Sequence, residues 1–430
     1  MSGITVAKAQ ALWRQVLHGR HREVEILPIH QTRGRILARD VVTSMPIPSF
    51  NKSAMDGFAI HSQEGLQTYE VLGTIGAGIV WNRPVRAGQA VRIMTGAPVP
   101  ADCDTVVMQE QCDFVEGSTS MTTQGHVQVG RHIISAGEEC SAGTQVLTKG
   151  QVIDTGLQTV LAGLGYQKVP VYKSVKALLL TSGREIVEPG QNLVPGTVYN
   201  SNRFMLEGLM RDAGLTEIRQ YHVTDDPACL ENEIAHVVDL AQDCDLIVSS
   251  GGVSVGLFDS MPAMYEALGA KVLYHRIQMR PGAASYGAIT DGGTLIMGLS
   301  GNPVAAYNGW HLLVKEAVCL LQGRTVTRKD FYHQDKPSLS DQEVQGGLSV
   351  VTDERLTKKP GLPRYVQGRV RLVDGQLHFS MIPNSGGSAL LALAYVNAIA
   401  MMDTHQQSIE KGQRVRIFIT KPVESIEFMI

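Results

Sequence analysis

Three glycine-bearing segments have the make-up of anion cradles: Thr181-Ser182-Gly183-Arg184-Glu185, Ser249-Ser250-Gly251-Gly252-Val253-Ser254-Val255-Gly256 and Leu299-Ser300-Gly301-Asn302-Pro303. Glycine lets backbone N–H groups approach a phosphate closely, and a helix N-terminus adds partial positive charge. Glycine loops also make ordinary tight turns. Three of them at one sheet edge favour a phosphate-bearing ligand, with Ser250, Gly251, Gly252, Ser254, Gly301 and Asn302 as its candidate contacts. Carboxylates follow the same segments: Glu185, then Asp225 and Asp226, then Asp259. Hard oxygens beside phosphates suit Mg2+, and Glu185 and Asp259 are the candidate ligands. Asp226, which stands before Pro227, reads equally as a helix cap. Arg276 and Arg280, in RIQMRPG, can pair with phosphate or another oxyanion, or lie solvated on a surface strand. The Asp56-Gly57 step of SAMDGFAI and the segment Met94-Thr95-Gly96-Ala97-Pro98 are turns by local chemistry.

These segments need elements to position them. Val175–Leu180 is a largely apolar run of strand length, as expected for a strand buried on both faces. Further strands are predicted at Glu217–Val223, Leu246–Ser249, Val272–Ile277 and Thr294–Leu299. Helices are predicted at Ser201–Ala213, from Asp226-Pro227 onward, at Pro262–Leu268, and from Asn302-Pro303 to Gly323. Alternating strand and helix implies a Rossmann-like parallel sheet with helices on both faces and ligands at its carboxyl ends. Upstream, Thr5 caps an amphipathic helix. Residues 54–151 read as short β-branched runs broken by glycine, and Asp154–Gly165 returns to helix. Downstream, Tyr365–Glu427 reads as a small β-domain. The expected fold class is multidomain α/β plus β. Its parts are 1–45 with 140–173 as a mixed elongated subdomain, 46–139 as an inserted β-domain, 174–327 as the α/β domain and 328–430 as a β-barrel-like domain.

Bulk properties narrow the function. A chain of 430 residues implies several domains, and 43% hydrophobic with 18% charged residues describes a folded protein. The net charge is −3 and no Lys/Arg run stands out, so nucleic acid is not an expected partner. The six cysteines form no CxxC pair, and buried reduced thiols are expected. The N-terminus lacks the pattern of a signal peptide, and no apolar run approaches the ~20 residues of a membrane span. The expected location is the cytoplasm.

The segments PSFNKSAMDGFAI, RIMTGAPVPADCDTVVMQE, TSGREI, YNSNRFML, DLIVSSGGVSVGLFD, RPG, GLSGNPVAA and NSGGSALLAL, in that order, resemble the molybdopterin molybdenumtransferase family, which includes the C-terminal domain of gephyrin. The resemblance implies an α/β domain that binds molybdopterin, and a homodimer with its active site between subunits. It implies adenylylated molybdopterin and molybdate as substrates, AMP as product and Mg2+ as cofactor. Asp56, Thr95, Glu185, Asp226, Asp259 and Ser388 match residues lining the family's site, and Asp56 and Thr95 would come from the partner. Other proteins of molybdenum cofactor synthesis are further partners it suggests. Several cationic positions depart from the family pattern. TGDEL reads Ser182-Gly183-Arg184-Glu185-Ile186, KPGKP reads Arg280-Pro281-Gly282-Ala283-Ala284, an upstream lysine is Arg276, RRRGED reads Ile134-Ser135-Ala136-Gly137-Glu138-Glu139, and a common arginine is Gln367. These departures leave open a specialised relative that carries molybdopterin, serves as a scaffold or handles another oxyanion such as tungstate.

Overall fold

The computed structural model describes residues 3–63, 65–253, 260–325, 347–382 and 390–422. Two compact units emerge: Met1–Ala38 with Gly150–Ile430, and Arg39–Lys149.

In chain order the first unit opens with α1 (Val6–Leu17), capped by Thr5, whose Oγ1 accepts from Lys8 N at 3.2 Å. Strand β1 (Val24–Pro28) later pairs antiparallel with Lys168–Tyr172. The second unit follows, a six-stranded mixed sheet of β2 (Gly57–Ile60), β3 (Thr68–Ile75), β4 (Gln89–Ile93), β5 (Thr105–Met108), β6 (Cys112–Asp113) and β7 (Ser120–Thr123), in the order β5-β2-β4-β3-β7-β6. Its strands carry Phe58, Ile60, Val91, Ile93 and Val106 into two small apolar clusters. The chain then returns through α2 (Thr155–Gly163), with Asp154 Oδ1 accepting from Leu157 N at 2.8 Å as its cap.

The α/β sheet contains β8 (Lys176–Ser182), β9 (Glu217–Val223), β10 (Leu246–Ser250), β11 (Ala270–His275), β12 (Tyr286–Thr290) and β13 (Leu295–Leu299), in the order β9-β8-β10-β13-β12-β11. Four neighbouring strands, β9, β8, β10 and β13, are parallel. The remaining pairs, β12 with β13 and β11 with β12, are antiparallel, so the sheet is mixed and not wholly parallel as predicted. The sequence reading missed β12, which forms a hairpin with β13 across Asp291-Gly292-Gly293; Gly293 has φ +87°.

Both faces are buried, which explains the apolar runs. On β8, Ala177 and Leu179 enter one core and Leu178 and Leu180 the other. The first core receives α1 through Trp13, α3 (Ser201–Asp212) through Leu206 and Met210, and the helix that begins at Pro303 through Tyr307 and Trp310. The second receives α4 (Leu230–Ala241) and α5 (Met261–Ala267). The helix from Pro303 contains a π turn at Trp310–Val314 before continuing to Leu321. A closed barrel of Leu348–Thr352, Arg364–Val373, Gln376–Met381, Ala398–Met402 and Arg414–Ile419 completes the unit.

Two local predictions fail. Helix α4 starts at Leu230, not at Asp226-Pro227; Asp226 instead turns the chain, its Oδ1 accepting from Ala228 N at 3.1 Å. The thiols are free, but only Cys103, Cys244 and Cys319 are buried, while Cys229 is exposed.

Candidate functional site

Chain topology selects one edge of the sheet. The chain leaves β8 for β9 on one side and returns to β10 on the other, so the loops after these strands diverge at a switch point. Register keeps the strand ends level: Ser182 pairs with Val223, Thr181 with Ser250, and Ser250 with Leu299. All three glycine segments therefore meet at this edge. They line one cavity of about 870 Å3, together with Asp225, Ala284 and the outer residues Leu193, Tyr199 and Leu390. That size suits a cofactor-like small molecule.

The inner wall is backbone. A Cβ on Gly251 would lie 2.5 Å from the Ser182 carbonyl oxygen, and one on Gly252 2.7 Å from Ser182 Oγ and from the Met261 side chain. Both residues have positive φ, +95° and +58°. Side-chain amides lace the loops together. Asn202 Nδ2 donates to Ser250 Oγ and to the Gly301 carbonyl, both at 2.8 Å, and Ser250 Oγ donates to the Ser300 carbonyl at 3.1 Å. Asn200 caps α3 and donates to Thr181 Oγ1 and Glu188 Oε1, both at 3.0 Å. Ser182 Oγ and Asn202 Oδ1 are buried without a protein partner among the described residues. The asparagines of YNSN were visible as a motif, but nothing in their spacing announced this bracing role.

The predicted residues sort unevenly. Ser250, Gly251, Gly252, Gly301 and Glu185 line the cavity. Asn302 caps the helix at Pro303, its Oδ1 accepting from Ala305 N at 3.0 Å. Asp226 is exposed and is not among the described lining residues; its neighbour Asp225 is. Asp225 has φ +56°, a left-handed conformation that aspartate tolerates, and its carboxylate accepts a hydrogen bond from Ser260. Arg184, the basic replacement, also lines the cavity and donates from Nε to the Asp225 carbonyl at 2.7 Å. Arg276 and Arg280 are exposed and absent from that lining. Arg276 is held by its backbone, with φ +109° and its carbonyl accepting from Ile4 N at 3.1 Å. Ser254, Asp259 and Ser388 lie outside the described residues.

In the second unit Asp56 and Thr95 do meet. Asp56 Oδ1 accepts from both the N–H and the hydroxyl of Thr95, each at 2.7 Å. The Thr95 hydroxyl, then its N–H, holds this exposed carboxyl below its usual range. Gly57 is obligatory beside it, since a Cβ there would fall 1.9 Å from the Val107 carbonyl oxygen.

Four level strand ends, glycine loops and a cavity at a switch point define an α/β protein with a pocket of small-molecule size. Comparison narrows the class. Family models match in chain order: MoeA N-terminal region (domain I and II) over residues 4–165, probable molybdopterin binding domain over 179–319, and MoeA C-terminal region (domain IV) over 349–419. Molybdopterin molybdenumtransferase of Staphylococcus epidermidis is 34% identical over 412 residues, 93% of each chain. That of Bacillus subtilis is 32% identical over 429 residues, 96% of this chain and 94% of its own. The fold matches the solved molybdopterin biosynthesis MoeA protein from Pyrococcus horikoshii, with TM-score 0.76 and 23% identity, covering 97% of this chain and all of that one. The chain belongs to the molybdopterin molybdenumtransferase (MoeA) family.

Proposed function

We propose that this protein is a molybdopterin molybdenumtransferase, binding adenylylated molybdopterin in the 870 Å3 cavity and releasing AMP as molybdate enters the dithiolene. The observation that carries the reading is the convergence of all three glycine loops on that cavity. Glycine lets the loop backbone approach phosphate oxygens closely, while Gly183 N and Gly251 N are already bonded to the Val223 and Leu299 carbonyls. Arg184 lines the same space as a cation for developing charge on the departing phosphate.

The residues present fit Mg2+. Glu185 folds over Gly183, whose Cβ would sit 2.8 and 2.9 Å from the two carboxylate oxygens, and Asp225 lines the same cavity. Among the described residues no cluster of three or more His, Cys, Asp or Glu could cage an ion. Mg2+ needs no such cage, since it keeps water and substrate phosphates in its shell and takes one or two carboxylates. Glu185 and Asp225 would hold it, with Asp259 as a further candidate. Bound there, it neutralises charge on the phosphoanhydride.

We further propose a cytoplasmic homodimer in which the cavity is served by Asp56 and Thr95 of the partner subunit, and a functional subdivision into the four parts read from the sequence. No helix among the described residues is long and apolar enough to cross a membrane. A second reading, a molybdopterin carrier or a tungstate-handling relative, draws on Ala284 in the cavity wall, within the altered KPGKP segment. One assay separates the readings: purified protein with adenylylated molybdopterin, Mg2+ and molybdate, scored for AMP. Molybdate-dependent release is expected. Intact pterin binding without that release overturns the enzyme reading and leaves the carrier; release driven by tungstate alone leaves the tungstate relative.

A further inference from the structure

Thr181, His222 and Ser250 stand level across the α/β sheet, with His222 on β9 and Ser250 on β10 flanking Thr181 on β8. Level residues on neighbouring strands point to the same face. Thr181 and Ser250 both line the glycine-loop cavity, and each is reached by an asparagine from the start of α3. Their protons have different fates. Ser250 Oγ has the Ser300 carbonyl as its acceptor at 3.1 Å, so its O–H is fixed in direction. Thr181 Oγ1 faces the His222 ring, with Nδ1 at 3.1 Å, and an imidazole nitrogen either accepts or donates.

Asn200 cannot exchange its two ends. Its Oδ1 accepts from Arg203 N at 3.3 Å as the cap of α3, and its Nδ2 also faces the acceptor-only carboxylate of Glu188 at 3.0 Å. Nδ2 therefore donates to Thr181 Oγ1 and occupies one lone pair. One lone pair and the proton remain, and Thr181 is buried with no further side-chain partner among the described residues. A bare Nδ1 accepts that proton; a protonated Nδ1 donates into the lone pair. In the second case the buried O–H needs another acceptor, and the cavity that Thr181 lines is where one can sit.

His222 is half-buried, and its Nε2 forms no hydrogen bond among the described residues, so the ring can exchange protons with solvent. The charged groups around it are largely paired with one another. On the α3 side, Gln220 accepts from Arg203 at 3.2 Å and hydrogen-bonds Glu207. Arg203 pairs with Glu188 at 2.6 Å, and Glu207 with Arg211 at 2.8 Å. Past the strand ends, Arg184 donates to the Asp225 carbonyl, and Glu185 lines the cavity. From α4, against the opposite face, His236 packs on Tyr221 and Glu233 accepts from Thr224. Histidine is the side chain whose charge ordinarily changes between about pH 5 and 8.

We propose that His222 is a positioning residue for the glycine-loop cavity. As imidazolium it donates to Thr181 Oγ1 and turns the Thr181 O–H onto a phosphate oxygen of the bound ligand. As a neutral ring with a bare Nδ1 it draws that proton away. The inference rests on the reading above for the phosphate-bearing character of the ligand. A ligand that accepts from Thr181 binds the protonated form more tightly, so affinity rises as pH falls. By reciprocity the ligand raises the pH at which His222 loses its proton.

The test uses the full-length protein and adenylylated molybdopterin, with calorimetric titration and nuclear magnetic resonance of the labelled histidine ring nitrogens. Wild type should bind about fivefold more tightly at about pH 6 than at about pH 8, and the ligand should move the His222 midpoint up by about 0.7 in pH. Thr181→Val keeps the shape and should erase that pH dependence, while Thr181→Ser keeps the hydroxyl and should retain it. His222→Asn, an amide that does not titrate, should give an affinity flat in pH. Groups on the ligand titrate alike in every variant and cancel in the comparison. A residue that only held the loops together would lower affinity equally at both pH values. Equal wild-type affinities at the two pH values, or a pH dependence that survives in Thr181→Val, overturn the inference. So does a His222 titration in the free protein that Thr181→Val leaves unmoved. Failure of wild type to bind at either pH sinks the cavity reading, whereas binding whose pH dependence ignores Thr181 sinks this inference alone.

Discussion

The glycine-loop cavity and the Asp56–Thr95 corner use opposite physical means. The cavity is concave, its inner wall made of backbone and neutral side chains with Arg184, Glu185 and Asp225 as its charged lining, and it is braced by buried asparagines. The corner is an exposed turn whose single carboxylate is set by two hydrogen bonds, both to one oxygen. One is a binding shape in which identity resides in what is missing, the Cβ atoms of Gly251 and Gly252. The other is a charged group in which identity resides in one side chain. Damage to the first should show in affinity, and damage to the second in turnover.

The largest effect that would test this contrast comes from Gly57→Ala. With its Cβ 1.9 Å from a carbonyl oxygen, the change should destabilise the inserted sheet by about 3 kcal/mol and abolish AMP release. A melting curve that barely moves would show that the turn relaxes and the corner is not rigid. Next, Asp56→Asn keeps the shape and removes the charge. AMP release should fall roughly 100-fold with pterin affinity unchanged and the mass of the proposed dimer retained. Loss of the dimer instead would make Asp56 structural. Smaller again, Glu185→Gln should raise the Mg2+ concentration for half-maximal release by about tenfold. A shift in pterin affinity alone would remove Glu185 from the metal.

The mildest test uses pH. Burial pushes His311 down to about 3, helped by Lys315 and Lys421, so it stays neutral in the folded state while its unfolded counterpart takes up a proton near 6.5. The unfolded chain therefore binds more protons as pH falls, and stability drops from about pH 6.5 toward 3. Relative to His311→Gln, the wild type should lose about 2 kcal/mol between pH 7 and pH 5, by denaturant titration. Asp56, with a lowered carboxyl, loses its charge only below the usual carboxylate range. If the His311 stability step and the loss of Asp56 charge fell at the same pH, the opposite directions of burial at His311 and hydrogen bonding at Asp56 would be contradicted.

Much of this was legible in the sequence because strong local chemistry agreed with the fold. Thr5 and Asn302 cap their helices as read, and the run around Leu178 lies between two cores. The three glycine loops met as expected, because parallel strands deliver their ends to one edge. The failures were of two kinds. Strand Tyr286–Thr290 is short and its partner direction depends on a hairpin, so alternation alone overstated the parallel character. Asp225 and Asp226 are adjacent, and only a positive φ turns the first inward. The bracing by Asn200 and Asn202 joins residues up to 99 positions apart, which no local pattern encodes. The separation of Arg280 from the cavity arose because the barrel segment claims its backbone.

Gly251 and Gly252 have no room for a side chain, so these two positions of the inner wall cannot take one. Leu193, Tyr199 and Leu390 also line the pocket with exposed side chains, and substitution there meets no such steric bar. Tolerance to substitution is thus lopsided: steric limits fall on the two glycines, and room for change lies at the exposed rim.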